Sequence, residues 1–308
     1  MTLTELRYVL AVARFQHFGR AAQYCHVSQP TLSVGIQKLE DRLGLTIFHR
    51  SRSGVQLTAE GEEVVRRAQQ IVEMADNLRA WSRNTAQTQS GLLRLGGIFT
   101  VTPYLLPALI PKLRQTLPDV PLRLDEDYTA NLRRKLRRGE LDVIIVARPF
   151  EEPDCTIIDL YDEDFIAVVP KAHPLAKVEQ LTLDEMAKHR LLLLGPGHCF
   201  RDQILALCPQ CQSAVDDELD EVIQGSSLAT LTHMVTSGIG VTVLPATAQN
   251  QHEHSGDLLC FKQFAAPVPR RRVCLVYRHS FARHAVAEKL AQIIRQLRLP
   301  GTSAVTQA

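Results

Sequence analysis

Apolar and polar positions along this 308-residue chain follow two different rhythms, and the change falls near residue 90. From Glu5 to Arg14, Leu6, Val9, Leu10 and Ala13 recur at helical spacing, and the stretch FGRAAQYCHVSQPTLSVGIQKLEDRLG (18–44) carries two further helices. Three short helices are therefore predicted before residue 45. In the third, Ser28 stands at an N-cap position, Pro30 falls in the first turn where a missing N–H costs little, Ile36, Leu39 and Leu43 form the inward stripe, and Gly44 ends the helix. LTIFHRSRSGVQLT has two apolar segments around a Ser-Arg-Ser-Gly turn, which predicts a small hairpin, a wing, with Arg50 and Arg52 at its tip. Ala59 to about Ala86 reads as one long helix. Its apolar positions Val64, Ala68, Ile71, Ala75 and Leu78 match a heptad seam that wants a partner helix.

After Gly91 the runs shorten. LLRLGGI, PLRLDED, LDVIIVA, FIAVVP, LLLLGPG, GVTVLP and RVCLVYR are apolar segments separated by helical ones, the pattern of an α/β sheet. The basic run Arg133, Arg134, Lys135, Arg137 and Arg138 is read as a solvated helix face, and the tail LPGTSAVTQA as frayed.

Composition narrows the classes. With 45% hydrophobic and 22% charged residues the chain is a folding, globular one, and at its length more than one domain is the default. No segment approaches the roughly 18–20 uninterrupted apolar residues that a membrane span needs, and the N-terminus lacks the core of a signal peptide, so a cytoplasmic protein without a membrane partner is expected. Seven scattered cysteines, an odd number, argue against a secreted disulfide framework. Of these, Cys25, Cys155, Cys260 and Cys274 are read as packing residues.

The net charge of +2 says little by itself, but up to Thr58 seven basic residues face three acidic ones. A helix-turn-helix places its second helix in the major groove of double-stranded DNA, where short polar side chains at the helix start reach base edges. Ser28, Gln29, Pro30, Thr31 and Ser33 occupy that start. Lys38, Arg50 and Arg52 are the cations for neighbouring phosphates.

Ala21-Ala22, Ser28-Gln29-Pro30, Ser33-x-x-Ile36, Leu39-Glu40-x-x-Leu43-Gly44, Leu57-Thr58-x-x-Gly61 and the Phe48-x-Arg50 step together resemble the N-terminal domain of LysR-type transcriptional regulators. The resemblance implies an α/β protein with an N-terminal all-α winged helix-turn-helix, a long linker helix, and two Rossmann-like α/β subdomains of periplasmic-binding-protein type. It sets the DNA-binding domain at 1–58, the dimerising linker at 59–90, regulatory subdomain I at 91–161 plus 269–300, and subdomain II at 162–268. Crossings between the subdomains would fall near 162–168 and 267–273. It further implies a homodimer to homotetramer acting on promoter DNA with RNA polymerase, a regulator rather than a turnover enzyme, with no cofactor and no metal.

GHCFRDQILALCPQC (197–211) carries the candidate chemistry. A thiol reacts with peroxide as the thiolate, so a sensing cysteine needs a cation or a helix N-terminus nearby. His198 and Arg201 flank Cys199, and Gly195-Pro196-Gly197 leads into a helix over 201–207. A sulfenic acid at Cys199 can condense with a second thiol, for which Cys208 and Cys211 both qualify. Across a helix rising about 1.5 Å per residue, Cys199 and Cys208 would stand about 13 Å apart, whereas a disulfide needs under about 7 Å, so the helix must be remodelled.

LLLLGPGHCFRDQILALC and SSLATLTHMVTSGIGVTVLP are similar to the hydrogen-peroxide-responsive branch of the LysR-type family. That resemblance implies Cys199 as peroxidatic and Cys208 as resolving thiol, with Thr100, Thr129, His198, Arg201 and Asp202 supporting the site and a cytosolic thiol reductant resetting it. Three departures stand out: a longer stretch after Cys208, Val222 near the place of a histidine, and the extra Cys211. The alternative reading is a small-molecule ligand in the interdomain cleft, held by Thr100, Thr129, Ser226 and Ser227.

Overall fold

The computed structural model describes residues 1–51, 54–82, 91–213, 225–249 and 258–305. The chain divides into two compact units. The first comprises Met1–Ser90 with Arg134–Asp142 and Arg278–His284, and the second the remainder.

In the first unit the three predicted helices form as α1 (Leu3–Phe15), α2 (Phe18–Tyr24) and α3 (Gln29–Leu43). Thr2 and Glu5 cap α1 reciprocally, which satisfies donors that the helix start would otherwise leave open. Ser28 caps α3, and Gly44 ends it at φ 69°, a left-handed conformation that suits glycine. Val9, Val12, Ala21, Leu32, Ile36, Leu39 and Ile47 are fully or almost fully buried in a common core. The wing is an antiparallel pair, β1 (Phe48–Ser51) and β2 (Gly54–Leu57), with Phe48 opposite Leu57.

The long helix α4 (Ala59–Ser82) follows, capped by Thr58, whose hydroxyl accepts from the Gly61 amide at 2.7 Å. A Cβ at Gly61 would stand 2.2 Å from the Ile47 carbonyl oxygen, so glycine is required by close approach. The predicted heptad seam splits: Ala68 is buried with Val65 and Val72 in the domain core, whereas Ile71 and Leu78 are exposed together with Met74. Within this unit Arg278 also donates to Glu73 at 2.7 Å and to the Leu141 carbonyl at 2.7 Å. The last predicted residues of the helix, 83–86, lie outside the described residues.

The second unit is α/β. Its strands are β3 (Leu93–Gly97), β4 (Leu122–Glu126), β5 (Val143–Ala147), β6 (Cys155–Pro170), β7 (Leu191–Leu192), β8 (Val241–Pro245), β9 (Leu259–Gln263), β10 (Arg270–Arg278) and β11 (Thr302–Ser303). Helices α5 (Thr102–Thr116), α6 (Thr129–Arg137), α7 (Leu183–Met186), α8 (Cys199–Leu207), α9 (Gln210–Ser213), α10 (Leu228–Thr236) and α11 (His284–Arg295) connect them. The strand order is β4-β3-β5-β10-β6-β8-β7, with β9 and β11 also on β6. Strand β3 runs parallel to β4 and β5, while β10 is antiparallel to β5. Strand β6 continues unbroken for 16 residues, pairing with β11 at Asp162–Glu163 and with β8 and β9 from Phe165 onward.

All seven predicted apolar runs contribute strands. Two strands, β9 and β11, were not anticipated, and the run Leu191–Leu194 forms only a two-residue strand before a single bridge from Leu194 to Gly225. The expectation of a frayed tail is corrected as far as Ser303, while 306–308 lie outside the described residues. Gly301 turns at φ 58°, its carbonyl accepts from the Asp164 amide at 2.9 Å, and β11 adds to the edge of β6 there, where main-chain groups are open to a partner. Among the described residues no helix is long and apolar enough to cross a membrane.

Candidate functional site

In the first unit, the predicted DNA-contacting residues from Ser28 to Ser33 lie at the start of α3, and Lys38 lies further along the same helix. Gln29, Pro30, Thr31 and Lys38 are exposed and Ser33 is half-buried, while Leu32, Ile36 and Leu39 face inward. Ser28 is a structural cap: its Oγ accepts from the Thr31 amide at 3.3 Å and shares a 2.8 Å hydrogen bond with the Thr31 hydroxyl. Two side chains that the sequence reading missed hold this helix in place. Glu40 accepts from the amides of Ile47 at 2.6 Å and Phe48 at 3.2 Å, joining the end of α3 to the start of the wing. Glu5 pairs with Arg42 at 2.7 Å; desolvation raises the Glu5 carboxyl, and the hydrogen bonds from Arg42 and Thr2 outweigh it, leaving it below the usual range. Arg50 lies on β1 with its side chain outside the described residues, as Arg52 is entirely.

In the second unit, Thr100, Thr129, His198 and Cys199 converge on a cavity of about 10 Å³, closed further by Tyr128 and Gly197. Its parts come from the loop after β3, the start of α6 and the start of α8. Gly197 makes the turn into α8 at φ 93°, and a Cβ there would meet the Tyr128 ring at 3.4 Å. Cys199 is the first residue of α8, at the end of the helix that carries the positive pole of its dipole, and His198 before it makes no side-chain cap. Cys199 is a free, half-buried thiol.

The charges differ from the sequence expectation. His198 is buried, packed edge-on against Tyr128 at 4.7 Å with Phe99 at 5.9 Å, and burial lowers its pKa from 6.5, only partly offset by Asp202. Burial thus favours the uncharged imidazole, because desolvation penalises the cation. Arg201 donates to the Leu194 carbonyl at 3.1 Å and does not line the cavity, and Asp202 is exposed. Nearby, burial pushes the Cys274 thiol up to about 12, so it stays protonated.

The buried cation is Arg271, which sequence reading passed over as part of a strand flank. Its guanidinium donates to the Thr100 hydroxyl and carbonyl, each at 2.8 Å, and to Glu163 at 2.7 Å, and stacks 5.1 Å from the Phe200 ring of α8. Glu163 also accepts from Thr247. The Thr129 hydroxyl is buried, with no hydrogen-bond partner among the described residues.

Cys208 caps the other end of α8 and is wholly buried. It is disulfide-bonded to Cys211, with their Cα atoms 5.4 Å apart. The two thiols that qualify as partners of Cys199 are thus bonded to each other. Among the described residues no three His, Cys, Asp or Glu side chains are grouped to hold a metal ion. Val222 lies outside the described residues.

Two sequence families match: the bacterial regulatory helix-turn-helix proteins of the lysR family over residues 3–62, and the LysR substrate binding domain over residues 86–298. A hydrogen peroxide-inducible genes activator of Pectobacterium carotovorum subsp. carotovorum is 37% identical over 96% of this chain and 96% of that protein. The DNA-binding transcriptional dual regulator OxyR of Escherichia coli K12 is 38% identical over 96% and 95%. The chain belongs to the OxyR group of the LysR family.

The similarity to OxyR extends to three dimensions. A full-length OxyR from Pseudomonas aeruginosa, carrying a cysteine-to-aspartate substitution, is 44% identical with a TM-score of 0.82, covering 97% of this chain and 99% of that one. The reduced OxyR regulatory domain of the same organism matches at 41% identity and a TM-score of 0.62, over 68% of this chain and all of that one. The OxyR relatives thus span both the recognition helix and the segment that holds Cys199.

Proposed function

We propose that this protein is a peroxide-sensing, DNA-binding transcriptional regulator, in which oxidation of Cys199 and its disulfide with Cys208 change the regulatory domain. The observation that carries the reading is the cavity. At about 10 Å³ it lies at the lower limit of the roughly 10–15 Å³ that one water needs, so it is on the scale of the smallest ligands, and peroxide enters it with a slight movement of the lining. A metabolite does not fit it. Of the hydroxyls named for a ligand, Ser227 is already committed as the cap of α10, accepting from the Thr230 amide at 3.1 Å.

The chemistry follows from the lining. The Cys199 thiolate attacks one peroxide oxygen, the O–O bond breaks, sulfur becomes the sulfenic acid and the other oxygen leaves as hydroxide. Thr129, whose hydroxyl has no partner among the described residues, and Thr100, fixed by Arg271, are the groups that orient the peroxide. Condensation with the Cys208 thiol then expels water and forms a disulfide, provided that Cys208 is not bonded to Cys211. Because the two cysteines stand at opposite ends of α8, that step unwinds the helix.

On this reading residues 1–58 bind promoter DNA through Gln29, Pro30, Thr31, Ser33, Lys38, Arg50 and Arg52, and residues 59–90 dimerise. The exposed Ile71, Met74 and Leu78 support a helix pair, and dimers of dimers make the tetramer. Residues 91–161 with 269–300 and residues 162–268 form the two regulatory subdomains. RNA polymerase and a cytosolic thiol reductant complete the cycle in the cytoplasm, and the protein turns over no substrate.

The test is Cys199→Ser. It is expected to abolish the transcriptional response to peroxide while leaving operator affinity at low salt within about twofold, because the tasks reside on separate segments. Full induction by peroxide in that variant overturns the reading, as does a Cys199 sulfur that stays unmodified while transcription responds.

A further inference from the structure

We infer that Cys211 is a second resolving thiol, and that the disulfide first formed between Cys199 and Cys208 migrates to Cys208–Cys211. This inference rests on the assignment of Cys199 as the peroxide-reactive thiol. The observation that carries it is the bond between Cys208 and Cys211, which the structure holds together with an intact α8 and a free Cys199 thiol.

The transfer is an exchange without net oxidation. The Cys211 thiolate attacks the Cys208 sulfur of the Cys199–Cys208 disulfide, the Cys208–Cys211 bond forms, and the Cys199 sulfur departs as thiolate; the proton lost by Cys211 passes through solvent to balance it. One disulfide and one thiol stand on each side. The backbone favours the second isomer. Cys199 and Cys208 can bond only after the nine residues of α8 are unwound, whereas Cys208 and Cys211 lie one turn apart, with the Cys211 amide donating to the Cys208 carbonyl at 2.9 Å and Cα atoms 5.4 Å apart. Departure of Cys199 lets α8 re-form with the sulfur at its amide-bearing end, and Phe200 and Ile204 return to the core. Both Cys208 and Cys211 are fully buried in the hydrophobic core of this unit, so the product is shielded from outside thiols once made.

Two consequences follow. Migration ends the unwound state without an external reductant, and it leaves Cys208 unavailable, so the sensor does not respond again until Cys208–Cys211 is reduced.

The experiment follows fully reduced, full-length protein after one equivalent of hydrogen peroxide, with acid quench, alkylation and peptide mapping at successive times. The wild type is expected to show Cys199–Cys208 first and then Cys208–Cys211 with Cys199 alkylatable again. In Cys211→Ser and Cys211→Ala, each checked for native circular dichroism, Cys199–Cys208 should persist more than about tenfold longer, since no intramolecular thiol competes. Cys199→Ser should form Cys208–Cys211 more than about tenfold more slowly than the wild type, since the reactive thiol is gone. Equal persistence of Cys199–Cys208 in all Cys199-containing forms overturns the migration and leaves the sensing assignment standing. Formation of Cys208–Cys211 at the wild-type rate in Cys199→Ser also overturns it. If Cys199 is never modified, in either Cys211 variant, both fall together.

Discussion

Replacing Arg271 by leucine removes the cation that ties β10 to β6, to Thr100 and to the Phe200 ring of α8. Arg271 and Glu163 are both fully buried and paired at 2.7 Å. The substitution leaves the Glu163 carboxylate with Thr247 as its remaining named donor, and strips the Thr100 hydroxyl and carbonyl of two donors. Breaking one partner of a buried pair costs about 3–5 kcal/mol, because the remaining charge is left uncompensated. For a domain of this size each kcal/mol moves the melting temperature by about 2–4 °C, so a fall on the order of 10 °C is expected in a thermal scan. The double variant Arg271→Leu with Glu163→Gln should recover much of the loss, because neither charge then remains buried. A single variant within about 1 kcal/mol of the wild type, or a double variant as unstable as the single, refutes the reasoning.

Two further outcomes are accessible by similar means. Glu40→Ala deletes a carboxylate that accepts two backbone amides at the start of the wing, and should cost about 1.5–3 kcal/mol in urea unfolding of the N-terminal domain, weakening specific and non-specific DNA binding alike; a loss under about 0.5 kcal/mol counts against that role. Burial depresses the His198 pKa below 6.5, so the folded protein holds fewer protons there than the unfolded chain: the stabilisation is full above 6.5 and is lost as pH falls through the depressed value. His198→Phe, which keeps the ring packing on Tyr128 and Phe99, should therefore melt progressively higher than the wild type as the pH is lowered from 7.5 to about 5.5, and a pH-independent difference contradicts the assignment.

What the sequence made legible was local. Ser28, Pro30 and Gly44 mark the ends of α3 through main-chain capping that depends only on near neighbours, and the structure has those ends. The heptad reading of α4 went partly astray because one helix serves two surfaces, an inner one at Val65, Ala68 and Val72 and an outer one at Ile71, Met74 and Leu78, whose spacings interleave. Strand β6 was seen only in its apolar half, since its earlier residues Cys155–Asp159 are half-buried and carry no continuous run. The Arg271 network was invisible for a different reason. Its partners lie 108 and 171 residues away, and nothing in a run of three arginines says which one is buried. Flanking residues misled at Cys199 as well: proximity in sequence suggested charged neighbours, but burial disfavours the His198 cation and Arg201 bonds Leu194.

The docking of Thr302 and Ser303 on β6 bears on how this protein should be handled. The two residues cover main-chain groups at Asp162 and Glu163, beside the Arg271 cluster, that an unprotected strand margin would offer to a neighbouring molecule. A shortened chain ending before Gly301 would bare that margin and invite self-association. Purification handles are therefore better placed beyond Val305 with a spacer than substituted for the final residues.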